Sequence, residues 1–510
     1  MMLDRLIAGL DVRVVQGDAA RVRICDLTED SRTVMPGSLF IARAGLSSDG
    51  RRFARDAVEA GASTVLTDDE QIECPRGVAV CVTPQVALAS AVLAERFYGE
   101  PGSKLAIVGV TGTNGKSTIA HLVHRILNRC GVRCGLIGTI EVDDGREIAR
   151  ASMTTPPAIE LSRTLATMVE SGCRAVVMEV SSHALDQFRT DGLRFDVAIF
   201  TNLTHDHGDY HGSRERYLAA KRRLFGLLRE DGVAIANFDD PAAPEIVAPA
   251  RHVRRCSMGD QADRTGRIVS HELSGLEVVI EGGVRTRRAR LATFGSYNAM
   301  NAMQAVLACE SVLEKVEPEA AGERLDGAIQ DLNPPEGRLE LISTPADDVA
   351  VFVDYAHSPD ALAHVLQAVR EAGGKRLCAV IGCGGDRDRE KRPMMGRIAA
   401  EHADRVIVTS DNPRRESPGA IVAQIVEGID VRDRGRVDVH VDRSRAIATA
   451  ILGAVAGEVI VIAGKGHEKE QILPDPADPQ RVIARVFDDS KEAAKFLSVR
   501  RAQSREASLA

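Results

Sequence analysis

The stretch from Lys104 to Gly131, KLAIVGVTGTNGKSTIAHLVHRILNRCG, constrains this chain more than any other feature. An apolar run ends in Thr111-Gly112-Thr113-Asn114-Gly115-Lys116-Ser117, and a helical pattern follows. Ile119, Leu122, Val123, Ile126 and Leu127 recur at helical spacing, so one helix face is apolar, and Gly131 is a natural stop. A strand that feeds a helix through a glycine-rich turn belongs to a parallel α/β sheet. The turn bares backbone N–H groups at a helix N-terminus, where phosphate oxygens bind. Lys116 can reach the β- and γ-phosphates, and the Ser117 hydroxyl suits Mg²⁺. The spacing is not the strict Walker form: Val110 stands five residues before Gly115, and the glycine falls one earlier, at Gly109. The motif predicts nucleotide-phosphate binding and leaves the reaction open.

Further short apolar runs, RAVVMEV, DVAIFTN and GVAIANF, read as strands of the same buried sheet. Later come LCAVIGC, RVIVTSD, VDVHVD and EVIVIAG, alternating with helical stretches, which predicts a second doubly wound sheet of Rossmann-like type. Pro101-Gly102 and the NPPEG at 333–337 punctuate the chain. The expected architecture is therefore α/β with three domains: 1–102, 103–335 around the phosphate loop, and 336–510. A length of 510 residues suits that number. The polar stretch after about residue 497 reads as a frayed tail.

Composition narrows the function class. With 65 Lys and Arg against 73 Asp and Glu, the net charge of −8 argues against a dedicated nucleic-acid binder. No apolar run reaches membrane-spanning length. The N-terminus, with Asp4, has no leader-like apolar region. Ten cysteines form no Cys-x-x-Cys pair, and Cys130 with Cys134 reads as ordinary packing. A cytoplasmic protein with reduced thiols is expected.

Two clusters carry further chemistry. Glu179 stands at the C-terminal end of a predicted strand, where ligands of open α/β sheets bind. The next strand runs into LTHDHGDYHG, which gathers His205, Asp206, His207, Asp209 and His211. That loop is either a solvated polar turn or, with Glu179, a site for Mg²⁺ and phosphate. Lys221, in RYLAAKRRLFGLL, reads from its surroundings as a helix-surface lysine.

The motifs TGTNGKS, MEVSSH, TNLTHDHGDYHG, YLAAKRRLF, GSYNAMNAMQA, DYAHSPD, GCGGDRDREKRPMM and GKGHE occur here in one order. In that order the chain resembles the Mur ligases, ATP-dependent amide-forming enzymes of peptidoglycan precursor synthesis, from about residue 26 to 490. The resemblance implies an N-terminal domain for the UDP end of the substrate, a central ATPase and a C-terminal domain for the incoming amino acid. It implies that the acceptor carboxylate takes the γ-phosphoryl group of ATP, and that an amine then displaces phosphate from the acyl phosphate. Gly112, Thr113, Asn114, Gly115, Lys116, Ser117, Asn298 and Arg338 then resemble ATP contacts, with Asp354 and His357 close by. Ser117, Glu179, His207 and Lys221 as its carbamate resemble the Mg²⁺ set. Among these, Lys116, Glu179, His207 and Lys221 resemble the catalytic residues. Ser31, Thr154, Thr155, Ser181, Gln187 and Arg189 resemble contacts to UDP-N-acetylmuramoyl-L-alanyl-D-glutamate. One stretch departs from the family: Leu46-Ser47-Ser48 replaces a His-Gln-Ala-like sequence, which leaves the uridine contacts of this loop open.

The resemblance is strongest to members that add meso-diaminopimelate as the third amino acid. Their Asp-Asn-Pro-Arg motif stands here as Asp411-Asn412-Pro413-Arg414. Pro413 fixes a turn and Arg414 can hold a carboxylate by two hydrogen bonds. Arg387, Gly464 and Glu468 follow neighbouring strands and are expected in the same crevice, with Glu468 on the distal ammonium. The alternatives are a lysine-adding Mur ligase, a folylpolyglutamate-synthase-like ligase and a regulatory ATP-sensing module. A monomer without nucleic-acid or membrane partners is expected.

Overall fold

The structure, a computed structural model, describes residues 1–45, 48–204, 208–259, 262–478 and 480–509. The predicted strands pair into three main sheets and a hairpin.

The N-terminal sheet has five strands, in spatial order Arg13–Gln16, Ala79–Val82, Thr64–Thr67, Ser38–Ala42 and Asp26–Thr28. The last four run parallel, and Arg13–Gln16 closes the edge antiparallel. Pro101 and Gly102, read from sequence as a break in the chain, are not solvent-exposed. They are buried in a short 3-10 turn, where the Gly102 N–H donates to Glu95 at 3.0 Å.

The central sheet has eleven strands. Ala106–Thr111 lies between Ala175–Glu179 and Phe195–Phe200, parallel to both. Such strands, buried on both faces, are apolar throughout because helices cover each side. Lys116–Arg129 and Ser296–Val316 pack together on one face over Ile119, Val123, Ala302 and Val306. The sheet also extends antiparallel through Arg264–Glu272, Gly275–Glu281 and Arg287–Leu291. Arg287–Leu291 alternates inward and outward residues, as half-solvated antiparallel strands do.

The C-terminal sheet runs in the order Glu340–Leu341, Ala350–Asp354, Val459–Ala463, Leu377–Ile381, Arg405–Thr409 and Val437–His440. Five of the six are parallel, and Glu340–Leu341 is antiparallel to its neighbour. A hairpin of Glu470–Pro474 and Val482–Val486 follows. The expected frayed tail is instead the helix Asp489–Leu509. Arg500 anchors it through Asp348 and the carbonyls of Ile451 and Ala454, and buried Asp489 holds buried Arg443 through two bonds of 2.7 Å.

Candidate active site

The phosphate loop leaves the end of Ala106–Thr111 and enters the helix Lys116–Arg129. Gly112, at φ 146°, lies so close to Thr201 that a Cβ would overlap its hydroxyl. Only glycine allows that approach. A Cβ on Gly115 would lie 2.7 Å from Asn301 Oδ1. Asn301 was not singled out by sequence; it also donates to Asn298 Oδ1 at 3.1 Å. Asn298 in turn donates to the Phe294 carbonyl at 2.8 Å. Thr113 pairs with the Tyr217 hydroxyl at 3.1 Å, and the Asn114 N–H donates to Asn202 at 2.9 Å.

Two lysines meet at one carbonyl. Lys116 Nζ donates to the Gly112 and Thr113 carbonyls at 3.0 and 2.8 Å. Lys221 Nζ donates to the same Gly112 carbonyl at 2.8 Å, and lies 4.3 Å from the Tyr217 ring centroid. Lys221 is 1% exposed, so the reading of it as a surface lysine is wrong. The helix Arg214–Gly226 turns it inward with Tyr217, Leu218, Ala220 and Leu224.

Glu179 ends its strand fully buried. Its two oxygens accept from the Thr139 N–H at 2.7 Å and the Thr139 hydroxyl at 3.0 Å. Thr139 escaped the sequence reading, although it follows the end of a strand, Cys134–Ile137, as the other site residues do. It also pairs with Thr154 at 3.0 Å. Thr155 donates to the Glu179 carbonyl at 2.8 Å and accepts from the Ser181 N–H at 3.1 Å. Arg189 donates to the Thr155 carbonyl at 2.6 Å and to Gln187 Oε1 at 2.8 Å. Burial first, and then the charge of Arg43 on the N-terminal sheet, make Arg189 less basic. Five of the expected acceptor-substrate residues thus form one network beside Glu179. Ser31, half-buried at the start of a 3-10 turn that Asp30 caps, has no hydrogen bond to that network among the described residues. His205, Asp206 and His207, and two of the three residues at 46–48, lie outside the described residues. Among the described residues, no group of His, Cys, Asp and Glu side chains forms a metal site.

A cavity of about 340 Å³ lies where the central and C-terminal sheets meet. Asn114, Asn237, Asp239 and Asn301 line one side, and Tyr355, His357 and His364 the other. Arg338 crosses the junction: it donates to Ser117 Oγ at 3.4 Å and lies over the Tyr355 ring at 4.6 Å. Asp354, raised in pKa by burial, accepts from the Leu339 and Ala356 N–H groups at 2.7 Å each. It therefore fixes the backbone next to Arg338.

The third cluster gathers at the carboxyl ends of the C-terminal strands, where an open α/β sheet binds ligands. Arg414 has φ 52°, a left-handed conformation that costs a non-glycine residue energy. Its N–H donates to the Ile472 carbonyl at 3.0 Å and its guanidinium to the Gly385 carbonyl at 2.8 Å. Burial first, and then the neighbouring Arg387, make it less basic. Pro413 is buried behind it, and Asp411 is buried beside Gly464, where a Cβ would lie 2.5 Å from Asp411 Oδ2. Asn412 donates to Glu468 Oε2 at 2.6 Å and accepts from the Ile472 N–H at 2.9 Å. The structure thus brings Arg387, Asp411, Asn412, Arg414, Gly464 and Glu468 together.

Residues 24–98 match the model described as Mur ligase family, catalytic domain; 110–309 match the Mur ligase middle domain; and 337–466 match the Mur ligase glutamate ligase domain. The UDP-N-acetylmuramoyl-L-alanyl-D-glutamate–2,6-diaminopimelate ligase of Syntrophomonas wolfei is 40% identical over 98% of this chain and 99% of its own. The protein of the same name from Gloeobacter violaceus is 41% identical over 99% of each. A solved structure bearing that name is 30% identical, with a TM-score of 0.69 over 98% of this chain and 99% of its own. Folylpolyglutamate synthase of Mycobacterium tuberculosis shares the fold at 19% identity, with a TM-score of 0.58 over 74% of this chain and 92% of its own. With three family segments in chain order and relatives alike over nearly the full length, the chain belongs to the Mur ligase family.

Proposed function

We propose that the chain is an ATP-dependent ligase joining meso-2,6-diaminopimelate to the D-glutamate γ-carboxylate of UDP-N-acetylmuramoyl-L-alanyl-D-glutamate, for peptidoglycan synthesis. The observation that carries the reading is Arg338. It links the phosphate loop, through Ser117, to the sheet that bears the Arg414 crevice. One catalytic centre therefore has a nucleotide side and an amino-acid side. The division into domains 1–102, 103–335 and 336–510 follows from the same reading and is supported by the three separate sheets.

A carboxylate is a poor electrophile. Transfer of the γ-phosphoryl group to it releases ADP and gives an acyl phosphate, whose phosphate the incoming amine then displaces. Little covalent work falls to the protein; positioning and charge neutralisation do most of it. Lys116 neutralises the transferring group, exchanging its carbonyl partners for phosphate oxygens. Arg189 and the Thr155–Ser181 network hold the acceptor. The cavity takes the nucleoside end of ATP, between Asn301 and His357.

The residues also fit Mg²⁺. Ser117 and Glu179 offer a hydroxyl and a carboxylate, a hard oxygen set, and His207 belongs to the same proposed set. Bound Mg²⁺ would screen the phosphate charge. An ammonium has only donors and cannot join such a set. Two ammonium groups on the Gly112 carbonyl also repel each other. Conversion of Lys221 to its carbamate removes that repulsion and supplies oxygen ligands.

The same reading places the enzyme in the cytoplasm, where ATP and UDP-linked precursors are found, and takes it to act as a monomer. Among the described residues, no helix is long and apolar enough to cross a membrane. The test is phosphate release with the UDP-linked dipeptide, comparing diaminopimelate with lysine. Diaminopimelate-dependent release is expected; equal use of lysine would overturn the specificity.

A further inference from the structure

Lys465 lies in the loop between Val459–Ala463 and the hairpin, and its side chain is fully buried. A buried ammonium is costly unless each of its three N–H donors finds an acceptor. Here each does: Glu468 Oε2 at 2.9 Å, Asn412 Oδ1 at 3.0 Å and the Glu470 carbonyl at 2.6 Å. Those bonds fix the Asn412 amide, whose nitrogen must then face Glu468 Oε2, at 2.6 Å. Oε2 of Glu468 therefore accepts two hydrogen bonds, whereas Oε1 accepts none among the described residues. Glu468 is still about a third exposed, so one oxygen is committed to the protein while the other is left without a protein partner among the described residues.

On the diaminopimelate reading, we propose that Lys465 is a positioning residue for amino-acid specificity: by holding Oε2 of Glu468 and the amide of Asn412, it reserves Oε1 for the distal ammonium of diaminopimelate. Lys465 does not touch the substrate. It also cancels the charge of Glu468, so the crevice does not attract every cation. A ligand must bring an ammonium for Oε1 and a carboxylate for Arg414 together.

Lys465→Met frees both groups. The expected result is a KM for diaminopimelate raised roughly 30-fold or more, as when one partner of a buried charge pair is removed. The KM values for ATP and the UDP-linked dipeptide stay within about twofold, and discrimination against lysine narrows. In a Glu468→Gln background the same change adds little, because the two residues act as one unit. A Lys465→Met enzyme with an unchanged KM for diaminopimelate overturns the proposal. So does an equal effect with and without Glu468, or a loss shared by all three substrates. Lys465→Gln serves the same test if the methionine variant does not fold, and failure of both to fold marks Lys465 as structural only. Wild-type enzyme that releases no phosphate with diaminopimelate refutes instead the function on which this rests.

Discussion

The phosphate loop and the amino-acid crevice both sit at the carboxyl ends of parallel strands, yet they are organised in opposite ways. In the loop, the charged groups rest on backbone carbonyls: Lys116 and Lys221 share Gly112. Such bonds are neutral and readily exchanged for a phosphate oxygen. In the crevice Arg414 also rests on a carbonyl, that of Gly385, but the side chains around it hold one another. Lys465 is bound to Glu468 and Asn412, and Arg392 is bound to Glu416. A centre that serves any ATP-using reaction needs charge held ready. A centre that must separate two similar amino acids needs its donors and acceptors already assigned, because an unmatched buried group is then costly.

That contrast can be broken most forcefully at the loop. Lys116→Ala should lower ligation by about 10³-fold or more, since it removes charge from the transferring group. ADP release measures it, and a near-normal rate would mean that the loop does not serve phosphoryl transfer. Lys221→Ala should cost about 10²–10³-fold. Short carboxylic acids should restore part of it by supplying the missing oxygens, whereas rescue by amines would contradict the carbamate.

The crevice should respond by substrate rather than by overall rate. Arg414→Ala should reduce kcat/KM for diaminopimelate by roughly 10²–10³ and that for lysine far less. An unchanged ratio between the two would remove Arg414 as selector. The smallest effect concerns the scaffold behind it. The Arg392 guanidinium, and next to it the Asp386 N–H, hold Glu416 down at about 2, from an ordinary 4.5. A carboxyl lowered in this way stabilises the fold above pH 4.5, and the contribution is lost as pH falls toward 2. Melting temperatures of wild type and Glu416→Gln should therefore differ at pH 7 and converge near pH 2. A gap independent of pH would point to packing instead.

The fold was largely legible because buried parallel strands announce themselves as apolar runs. Ala175–Glu179 and Val459–Ala463 lie within the runs read from sequence, and Ala106–Thr111 exceeds its run only by Thr111. The antiparallel extension around Arg264–Leu291 was not, since half-solvated strands rich in arginine lack that signature. In the site, most residues just past strand ends were legible by position, Thr139 excepted. Those that act through a partner were not. Asn301 and Thr139 matter through Gly115 and Glu179, and Lys465 through Glu468, which only folding brings together. The inward turn of Lys221 was marked by periodicity, since Tyr217, Leu218, Leu224 and Phe225 stand three and four residues to either side of it, but its charge and the Arg222 and Arg223 that follow masked the signal.

The cavity at the sheet junction has a thermodynamic corollary. Because Asn301, on the helix that covers the central sheet, and His357, just past a strand of the C-terminal sheet, both line it, a nucleotide seated there binds only while both regions are folded. Its binding energy then acts as shared ballast, and at a hundred times its dissociation constant it adds about 2.7 kcal/mol to the folded state. That increment belongs to neither sheet alone. Without nucleotide the two sheets are free to melt in separate steps; with it, calorimetry should record their transitions moving together.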